Sequence, residues 1–165
     1  MGVVNDNTRY PCSLGFHMGG VNVKCHRHAS PCNLEQSIQH SCNSYYSYTL
    51  KAILEKSGYK TTREAFNTWR SIVLSFGLGK KFNDDLCNEL SGNIPTAEYY
   101  DKLHGKNRWR ALSIISLGIG QGEILLTPLQ LANFAAIIAN KGYYYIPHVV
   151  KKIGNEKLII KRTVP

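Results

Sequence analysis

Residues 113–150 constrain the fold of this chain more than any other stretch, because a Gly-rich turn, an apolar helix and a Tyr-rich strand follow one another there without interruption. The helix start is well defined. The Thr127 side chain can cap the first turn, Pro128 takes the first helical position where no N–H is needed, and Gln130 can complete a capping box. The apolar pattern continues to Gly142. It covers almost the whole circumference, so we expect this helix to be buried.

Helix starts of the same kind recur earlier in the chain. In each case a polar residue that can cap the first turn precedes an apolar pattern of helical period. These signals predict helices that begin at Asn33, after Asn43, at Thr61 and at Thr96. In the first of them, Leu34 and Ile38 are expected to form the inward stripe, with Ser37 as a further candidate.

Strands are expected towards both ends of the chain. Residues 18–23 are typical of a short hairpin arm, and residues 143–153 and 157–163 read as two strands around the turn pair Gly154-Asn155. The prediction is therefore an α+β fold that is mostly helical and ends in a short β-hairpin. It divides into a Cys/His-rich arm (1–32), a helical part (33–142) and the start of sheet strands (143–165).

Composition favours a globular protein, with 43% hydrophobic and 19% charged residues and a net charge of +9. The positive charges are spread over several predicted elements, which favours a solvated basic surface over a nucleic-acid site. Polymeric cell wall or anionic lipid would suit the charge as well as nucleic acid does. No apolar run of about 18 residues is present, and the residues after Met1 are not a signal peptide. Any membrane anchor is expected outside these residues.

The five cysteines cannot all pair with one another, because their number is odd. Four of them fall within 31 residues and alternate with histidines; they are Cys12, Cys25, Cys32 and Cys42. Thiolates and imidazoles are the ligands that zinc prefers, in groups of four. The spacing matches no standard zinc finger. Free thiols with exposed histidines, or one or two disulfides, therefore stay open as alternatives.

Ser41 and Asn43 lie between two predicted helices, with Cys42 between them. Residues two apart do not share a face of one continuous helix, but they do so in an extended or turn segment. If the backbone breaks here, a hydroxyl and a carboxamide can face one cleft. A hydroxyl beside lysines can relay a proton, and a carboxamide can bind a peptide group through its donor and its acceptor.

Several stretches resemble one enzyme family in the right order. They are CHRHASPCNLEQSIQHSCNSYY (25–46), SGNIPTAEYY (91–100), GIGQG (118–122), TPLQLA (127–132) and IPHVV (146–150). Together they are similar to the transpeptidase domain of class B penicillin-binding proteins, and within that class to the penicillin-binding protein 2 family. The resemblance covers about residues 10–150. It implies part of the fold that penicillin-binding proteins share with serine β-lactamases.

The resemblance also implies a function. In that family a serine of a Ser-x-x-Lys motif attacks a D-Ala-D-Ala stem peptide, and an amine from a second stem resolves the acyl-enzyme into a cross-link. The site residues carried over are Ser41, in the proton shuttle, and Asn43, which holds the donor peptide. The implied partners are stem peptides, β-lactams and membrane proteins of the elongation machinery, at the periplasmic face of the inner membrane.

The sequence departs from the family pattern at two motifs. It has no Ser-x-x-Lys before Ser41 and no Lys-Ser/Thr-Gly after Pro147, where the family places them, so the nucleophile is absent from its expected position. The overlapping runs Lys56-Ser57-Gly58 and Ser57-Gly58-Tyr59-Lys60 have the letters of these motifs, but they follow Ser41 at a predicted helix end. We therefore expect these residues to be a piece of a cell-wall enzyme that is inactive alone. The glycine-rich stretch 118–122 resembles a phosphate-binding loop, but its glycine spacing does not match that of a nucleotide site.

A zinc beside the active site is also implied, because some members of the family carry one with the middle residue of Ser-x-Asn as a ligand. That position is Cys42 here. The predicted ligand set is Cys12, Cys25, His28 and Cys42, with Cys32 and His26 as substitutes. Four protein ligands leave no open position, so the metal would be structural.

Two other interpretations stay open. A small zinc-stabilised basic binding module would bind nucleic acid in a salt-dependent way, whereas a transpeptidase piece would not. A catalytically dead relative would act as a scaffold, and an intact Ser-x-x-Lys motif upstream would exclude it. The apolar helix from 127 leaves self-association of the chain open.

Overall fold

The computed structural model describes residues 1–82, 85, 87–157 and 162–165. Its α-helices are α1 (Leu34–Gln39), α2 (Asn43–Leu54), α3 (Thr62–Ser75), α4 (Ala97–His104) and α5 (Pro128–Ala139), with a 3-10 segment at Ala111–Ile119. Its strands are β1 (Gly15–Met18), β2 (Val21–Lys24), β3 (Tyr144–Tyr145), β4 (Lys152–Ile153), β5 (Glu156–Lys157) and β6 (Arg162–Thr163). The mostly helical α+β prediction is confirmed.

The helix starts predicted at Asn33 and Thr127 have the expected caps. The Asn33 side chain accepts the N–H of Gln36, and the Gln36 side chain accepts the N–H of Asn33. Thr127 and Gln130 form the same reciprocal box at α5. Such a box satisfies two of the first-turn N–H groups that a helix leaves without partners. None of the described helices is long and apolar enough to cross a membrane.

The residues divide into two compact units, Met1–Trp69 with Thr96–Gly122, and Arg70–Pro95 with Glu123–Pro165. In the first unit, α2 packs against the 3-10 segment and against the β1–β2 hairpin. Gly118 allows the first of these contacts. A Cβ there would lie 2.8 Å from the Tyr46 carbonyl oxygen and 3.0 Å from the Leu50 Cβ. Phe16 anchors the hairpin, since it is fully buried and packs edge-to-face against Tyr48. The two ring centroids are 4.8 Å apart.

The second unit is held by the polar side chain of Gln130. Its Nε2 donates to the carbonyl oxygens of Lys80 and Ser91, both at 2.8 Å, and its Oε1 accepts the N–H of Thr127 at 3.1 Å. Gln130 is 1% exposed. Because buried amides are costly unless hydrogen-bonded, this set of partners explains how the residue is tolerated there. Nearby, Phe82, Ile137 and Tyr144 form an apolar cluster.

Two expectations about helix faces are wrong. The apolar α5 is buried along one side only, and Leu131 and Ile138 are 53% and 66% exposed. In α1, Leu34 and Ile38 are 41% and 65% exposed, whereas Ser37 is fully buried. Ser37 is accepted inside because its hydroxyl donates to the Leu34 carbonyl at 2.6 Å. A satisfied hydroxyl can thus replace an apolar residue on a short helix.

The turn at residues 154–155 is confirmed, since β4 and β5 pair antiparallel on either side of it. Further out, β3 pairs antiparallel with β6. Each of these strands is two residues long, so the predicted strands 143–153 and 157–163 are too long in the part that is described. Residues 158–161 lie outside the described residues. The arm hairpin is longer than predicted and runs from Gly15 to Lys24.

Candidate functional site

The backbone breaks at Ser41, as the sequence predicts. Helix α1 ends at Gln39, Ser41 has a left-handed φ of +46°, and α2 begins at Asn43. The N–H of Cys42 donates to the Ser37 carbonyl at 2.9 Å, which closes the turn. Ser41 is exposed. A serine in this conformation is unusual, because the left-handed region is strained for residues with a Cβ.

The Asn43 carboxamide is tied to the hairpin. Its Nδ2 donates to the carbonyl oxygen of Lys24, the last residue of β2, at 2.9 Å. The next residue makes a parallel link, since the Ser44 hydroxyl donates to the Pro11 carbonyl at 2.7 Å. The start of α2 is therefore hydrogen-bonded to two separate segments of the arm. In each segment the bonded carbonyl belongs to the residue directly before a cysteine.

Four of the Cys/His side chains meet at this point. The ligand atoms of Cys12, Cys25, His28 and Cys42 all lie within 4.8 Å of one another. Cys42 is buried and the other three are half-buried. They are the four residues that the sequence analysis selected. We call this group the cysteine cluster. Three sulfurs and one imidazole at such distances form a donor set that suits a tetrahedral borderline-soft cation.

The surroundings of the His28 ring determine which of its nitrogens donates a hydrogen bond and which accepts one. Nδ1 lies 2.7 Å from the Ala29 carbonyl oxygen. A carbonyl only accepts, so Nδ1 donates there. The neutral ring then carries its lone pair on Nε2, which lies 3.5 Å from the Cys25 sulfur. A backbone carbonyl that fixes the tautomer of a histidine is a frequent feature of metal sites.

The start of α2 directs N–H groups at two of the sulfurs. Tyr45 N–H donates to Cys42 Sγ at 3.4 Å, so this thiol caps the helix. Burial opposes ionisation of Cys25, but hydrogen bonds from the N–H groups of Asn43 and Ser44 and the close approach of the His28 ring leave its pKa below the ordinary value. The positive end of a helix dipole stabilises a thiolate in the same way.

The pKa values of the neighbouring thiols are shifted in the opposite direction, upward. Burial raises the pKa of Cys12 to about 12, with a further contribution from negative charge at Cys42. Burial also raises the pKa of Cys42. Thiolates packed this closely repel one another, and a divalent cation among them would remove that repulsion.

The two proposed substitutes lie beside the cluster without joining it. Cys32 Sγ donates to the Ala29 carbonyl at 3.1 Å and lies 3.4 Å from His28 Nδ1. The His26 ring packs edge-on against His28 with 5.4 Å between ring centroids. All five cysteines are free thiols, and Cys87 is exposed.

Sequence reasoning missed the main-chain groups of this site. The carbonyls of Pro11, Lys24 and Ala29 each accept a hydrogen bond from a site residue. Every residue carries a main-chain carbonyl, so no pattern of side chains identifies the ones that belong to the site. The capping thiol of Cys42 was also missed, because cysteine is not among the preferred helix caps.

Known proteins resemble this chain over its whole length. The family model described as penicillin binding protein transpeptidase domain matches residues 1–165. The peptidoglycan D,D-transpeptidase MrdA of Acinetobacter baumannii is 34% identical over 133 residues, which are 81% of this chain and 18% of that protein. Penicillin-binding protein 2A of Bacillus subtilis is 30% identical over 161 residues, 92% of this chain and 20% of that protein.

Solved structures of penicillin-binding proteins are similar to this chain as well. Penicillin-binding protein 2 of Pseudomonas aeruginosa, in complex with WCK 5153, superposes with a TM-score of 0.78 at 25% identity and covers 99% of this chain and 34% of its own. Penicillin-binding protein 2 of Helicobacter pylori, in complex with MreC, gives a TM-score of 0.69 at 26% identity, covering 96% and 27%. The chain thus spans about a fifth of the length of its curated relatives. By the match along its full length, it belongs to the penicillin-binding protein transpeptidase domain family.

Proposed function

We propose that these residues form part of a peptidoglycan D,D-transpeptidase of the penicillin-binding protein 2 type, which cross-links stem peptides in cell-wall elongation. The observation that carries the proposal is Ser41-Cys42-Asn43 at a backbone break between two helices, in a chain of this family. The relatives named peptidoglycan D,D-transpeptidase support the same class of acyl transfer.

Each of the two polar residues has a proposed role. The Ser41 hydroxyl is exposed, and in the complete site it would pass a proton between the nucleophile and the leaving amine. The half-buried Asn43 carboxamide would hold the donor stem peptide through hydrogen bonds to its amide groups. The attacking serine would come from a Ser-x-x-Lys motif ahead of Ser41, a place where this sequence has none, so this chain alone is proposed to be inactive.

A segment exchange tests this assignment. Residues 10–150 would replace the matching stretch of the Acinetobacter baumannii transpeptidase, and labelling by a fluorescent penicillin would be followed over time. We expect labelling by the hybrid, and about 100-fold slower labelling after Asn43→Ala or Ser41→Ala, a typical loss for a group that acts on the transition state. Asn67→Ala, at an exposed position of α3, serves as the control. Equal rates in all variants would refute the assigned roles.

We further propose that the cysteine cluster holds one structural zinc ion through Cys12, Cys25, His28 and Cys42. The donor set and the close approach of the four ligand atoms support it. Bound there, zinc would act as a cross-link rather than as a Lewis acid, because four protein ligands fill its tetrahedron. The ion would join the arm to the first turn of α2.

Metal analysis tests the zinc proposal. The chain, purified without chelator, is expected to carry about one zinc by elemental mass spectrometry, the count that one tetrahedral site implies. Cys25→Ser should remove the metal. Cys87→Ser is the matched control, because Cys87 is exposed and lies outside the cluster. A metal-free wild-type chain, or equal loss in both variants, would end the proposal.

The cellular setting is proposed by analogy with the relatives. A protein of this type would be anchored in the inner membrane with this domain on the periplasmic side, in contact with elongation-machinery membrane proteins and with β-lactams. The Helicobacter pylori relative was solved with MreC, and another similar structure belongs to a peptidoglycan synthase complex. Co-purification of the segment-exchanged enzyme with MreC would test the partner.

A further inference from the structure

One hydrogen bond joins the candidate active-site asparagine to the arm. Asn43 Nδ2 donates to the Lys24 main-chain carbonyl at 2.9 Å. A carboxamide has a donor end and an acceptor end that are nearly equal in shape, and rotation by half a turn exchanges them. A carbonyl accepts hydrogen bonds and cannot donate them. It therefore selects the orientation in which the amide nitrogen faces the hairpin and Oδ1 faces away.

We infer that the Lys24 carbonyl is a positioning group for Asn43, which fixes the carboxamide with Oδ1 and the second N–H free to meet a substrate. The inference rests on the proposed role of Asn43. It concerns a main-chain atom of the arm, which none of the motifs includes. If the carbonyl moves, the amide loses the contact that distinguishes its two orientations, and the orientation that presents the wrong end becomes populated.

The position of Lys24 is fixed from two sides. On one side, the N–H of the next residue, Cys25, donates to the Leu14 carbonyl at 2.8 Å. On the other, β2 pairs with β1 so closely at Gly15 that a Cβ on Gly15 would lie 2.4 Å from the Val23 carbonyl oxygen and 3.2 Å from the Lys24 Cα. The arm therefore presents the Lys24 carbonyl from a rigid edge.

The cysteine cluster strengthens the same link. Cys25 follows Lys24 directly, and Cys42 precedes Asn43 directly. Their sulfurs belong to one group of ligand atoms within 4.8 Å. A cross-link between them would hold the donor and the acceptor of the Lys24–Asn43 hydrogen bond at a fixed distance. The arm thus acts on substrate recognition through the orientation of one amide.

The structure also offers a matched comparison. The Ser44 hydroxyl binds the Pro11 carbonyl at 2.7 Å, and Pro11 precedes Cys12 as Lys24 precedes Cys25. This second link joins the arm to α2 in the same way. It does not involve the Asn43 amide. Removing it should loosen the arm to a similar degree without releasing the carboxamide.

The test is an NMR measurement on the complete 165-residue chain labelled with 13C and 15N and loaded with zinc. We expect a through-hydrogen-bond coupling between Asn43 Nδ2 and the Lys24 carbonyl carbon. We also expect one Asn43 amide proton to exchange about fivefold more slowly than the other, as the net stability of one hydrogen bond implies. Gly15→Ala should abolish both signals, because the new Cβ displaces the strand. Ser44→Ala should preserve both.

The outcomes separate this inference from the proposed functions. Absence of the coupling in the wild-type chain, or loss of both signals in Ser44→Ala as well as in Gly15→Ala, would overturn the inference whether or not zinc is bound. A wild-type chain that shows the coupling but contains no metal supports the positioning role and refutes the zinc. Slow labelling by the Asn43→Ala hybrid depends on neither result, so a failure of the transpeptidase assignment is detected separately.

Discussion

The indole N–H of Trp109 donates a hydrogen bond to Oδ1 of Asp101 at 2.8 Å. The other carboxylate oxygen, Oδ2, accepts a hydrogen bond from Arg63. The N–H of Asn107 adds a longer contact to Oδ1 at 3.4 Å. Together these donors lower the pKa of Asp101, with Trp109 contributing most. The same indole ring packs against Phe66 and Tyr100, so the carboxylate lies at the edge of an aromatic cluster.

Acid should therefore weaken the first unit through Asp101. Because the pKa of Asp101 is lower in the folded chain than in the unfolded chain, its stabilising contribution is present above about pH 4 and is lost as the pH falls through the folded value. Asp101→Asn should lower the melting temperature at pH 6 and make it less sensitive to acid below pH 4. Asp6→Asn, at an exposed position, is the control for thermal melting followed by circular dichroism. Parallel pH profiles for all three proteins would contradict the prediction.

Gln130→Leu should destabilise the second unit by about 2–4 kcal/mol, because the carbonyls of Lys80 and Ser91 and the N–H of Thr127 lose their buried hydrogen-bond partner. Urea unfolding followed by fluorescence measures this. Gln121→Leu makes the same chemical change at an exposed site and should alter the free energy of unfolding by less than about 0.5 kcal/mol. Equal effects at both positions would mean that the hydrogen bonds of Gln130 contribute little.

Gly118→Ala should cost about 1–3 kcal/mol of unfolding free energy, because the new methyl group overlaps the Tyr46 carbonyl and the Leu50 side chain. Gly120→Ala provides a contrast. That residue has open space around it but a φ of +70°, so its effect is conformational and not steric. If Gly118→Val costs more than Gly118→Ala, as a larger group in a closed space should, the steric explanation is supported. Equal costs for the two substitutions would argue against it.

Zinc binding should release protons at neutral pH. Burial holds the pKa of Cys12 at about 12 and raises that of Cys42, so both thiols are protonated before the metal enters. Metal ligands must be thiolates, and each of these two cysteines then gives up a proton. Zinc affinity consequently falls as the pH falls. Isothermal titration in buffers of different ionisation enthalpy counts the protons; a heat that does not depend on the buffer would exclude this mode of binding.

A fluorescent penicillin should not label this chain, because the sequence has no Ser-x-x-Lys ahead of Ser41. The run Ser57-Gly58-Tyr59-Lys60 begins in an exposed turn after α2 and is not expected to react. Gel fluorescence of the purified chain beside an intact penicillin-binding protein measures this. Intact-mass analysis provides the decisive check. A covalent adduct on Ser41 would show that this hydroxyl is itself a nucleophile and would reverse its proposed role as a proton carrier.

The sequence predicted features that depend on local chemistry. The boxes at Asn33 and Thr127, the break at Ser41 and the turn at residues 154–155 are each decided by a few neighbouring residues, and the structure has all of them. The four residues chosen as metal ligands also come together. That choice used the family resemblance as well as the spacing, and their role as ligands stays a prediction.

Features that depend on distant neighbours were harder to predict. The buried face of α1 is lined by Ser37, not by Leu34 and Ile38, because a six-residue helix is oriented by what surrounds it. The exposed Leu131 and Ile138 of α5 show the same limit. The Lys24 carbonyl escaped notice because main-chain acceptors have no signature in the sequence.

The left-handed φ of Ser41 implies a conflict between folding and chemistry at one residue. A glycine at this position would relieve about 1–2 kcal/mol of backbone strain, and it would also delete the hydroxyl. Optimisation for thermal stability alone would thus drive position 41 towards glycine. A search for stabilised variants that ignores acylation would be expected to discard the candidate proton carrier first.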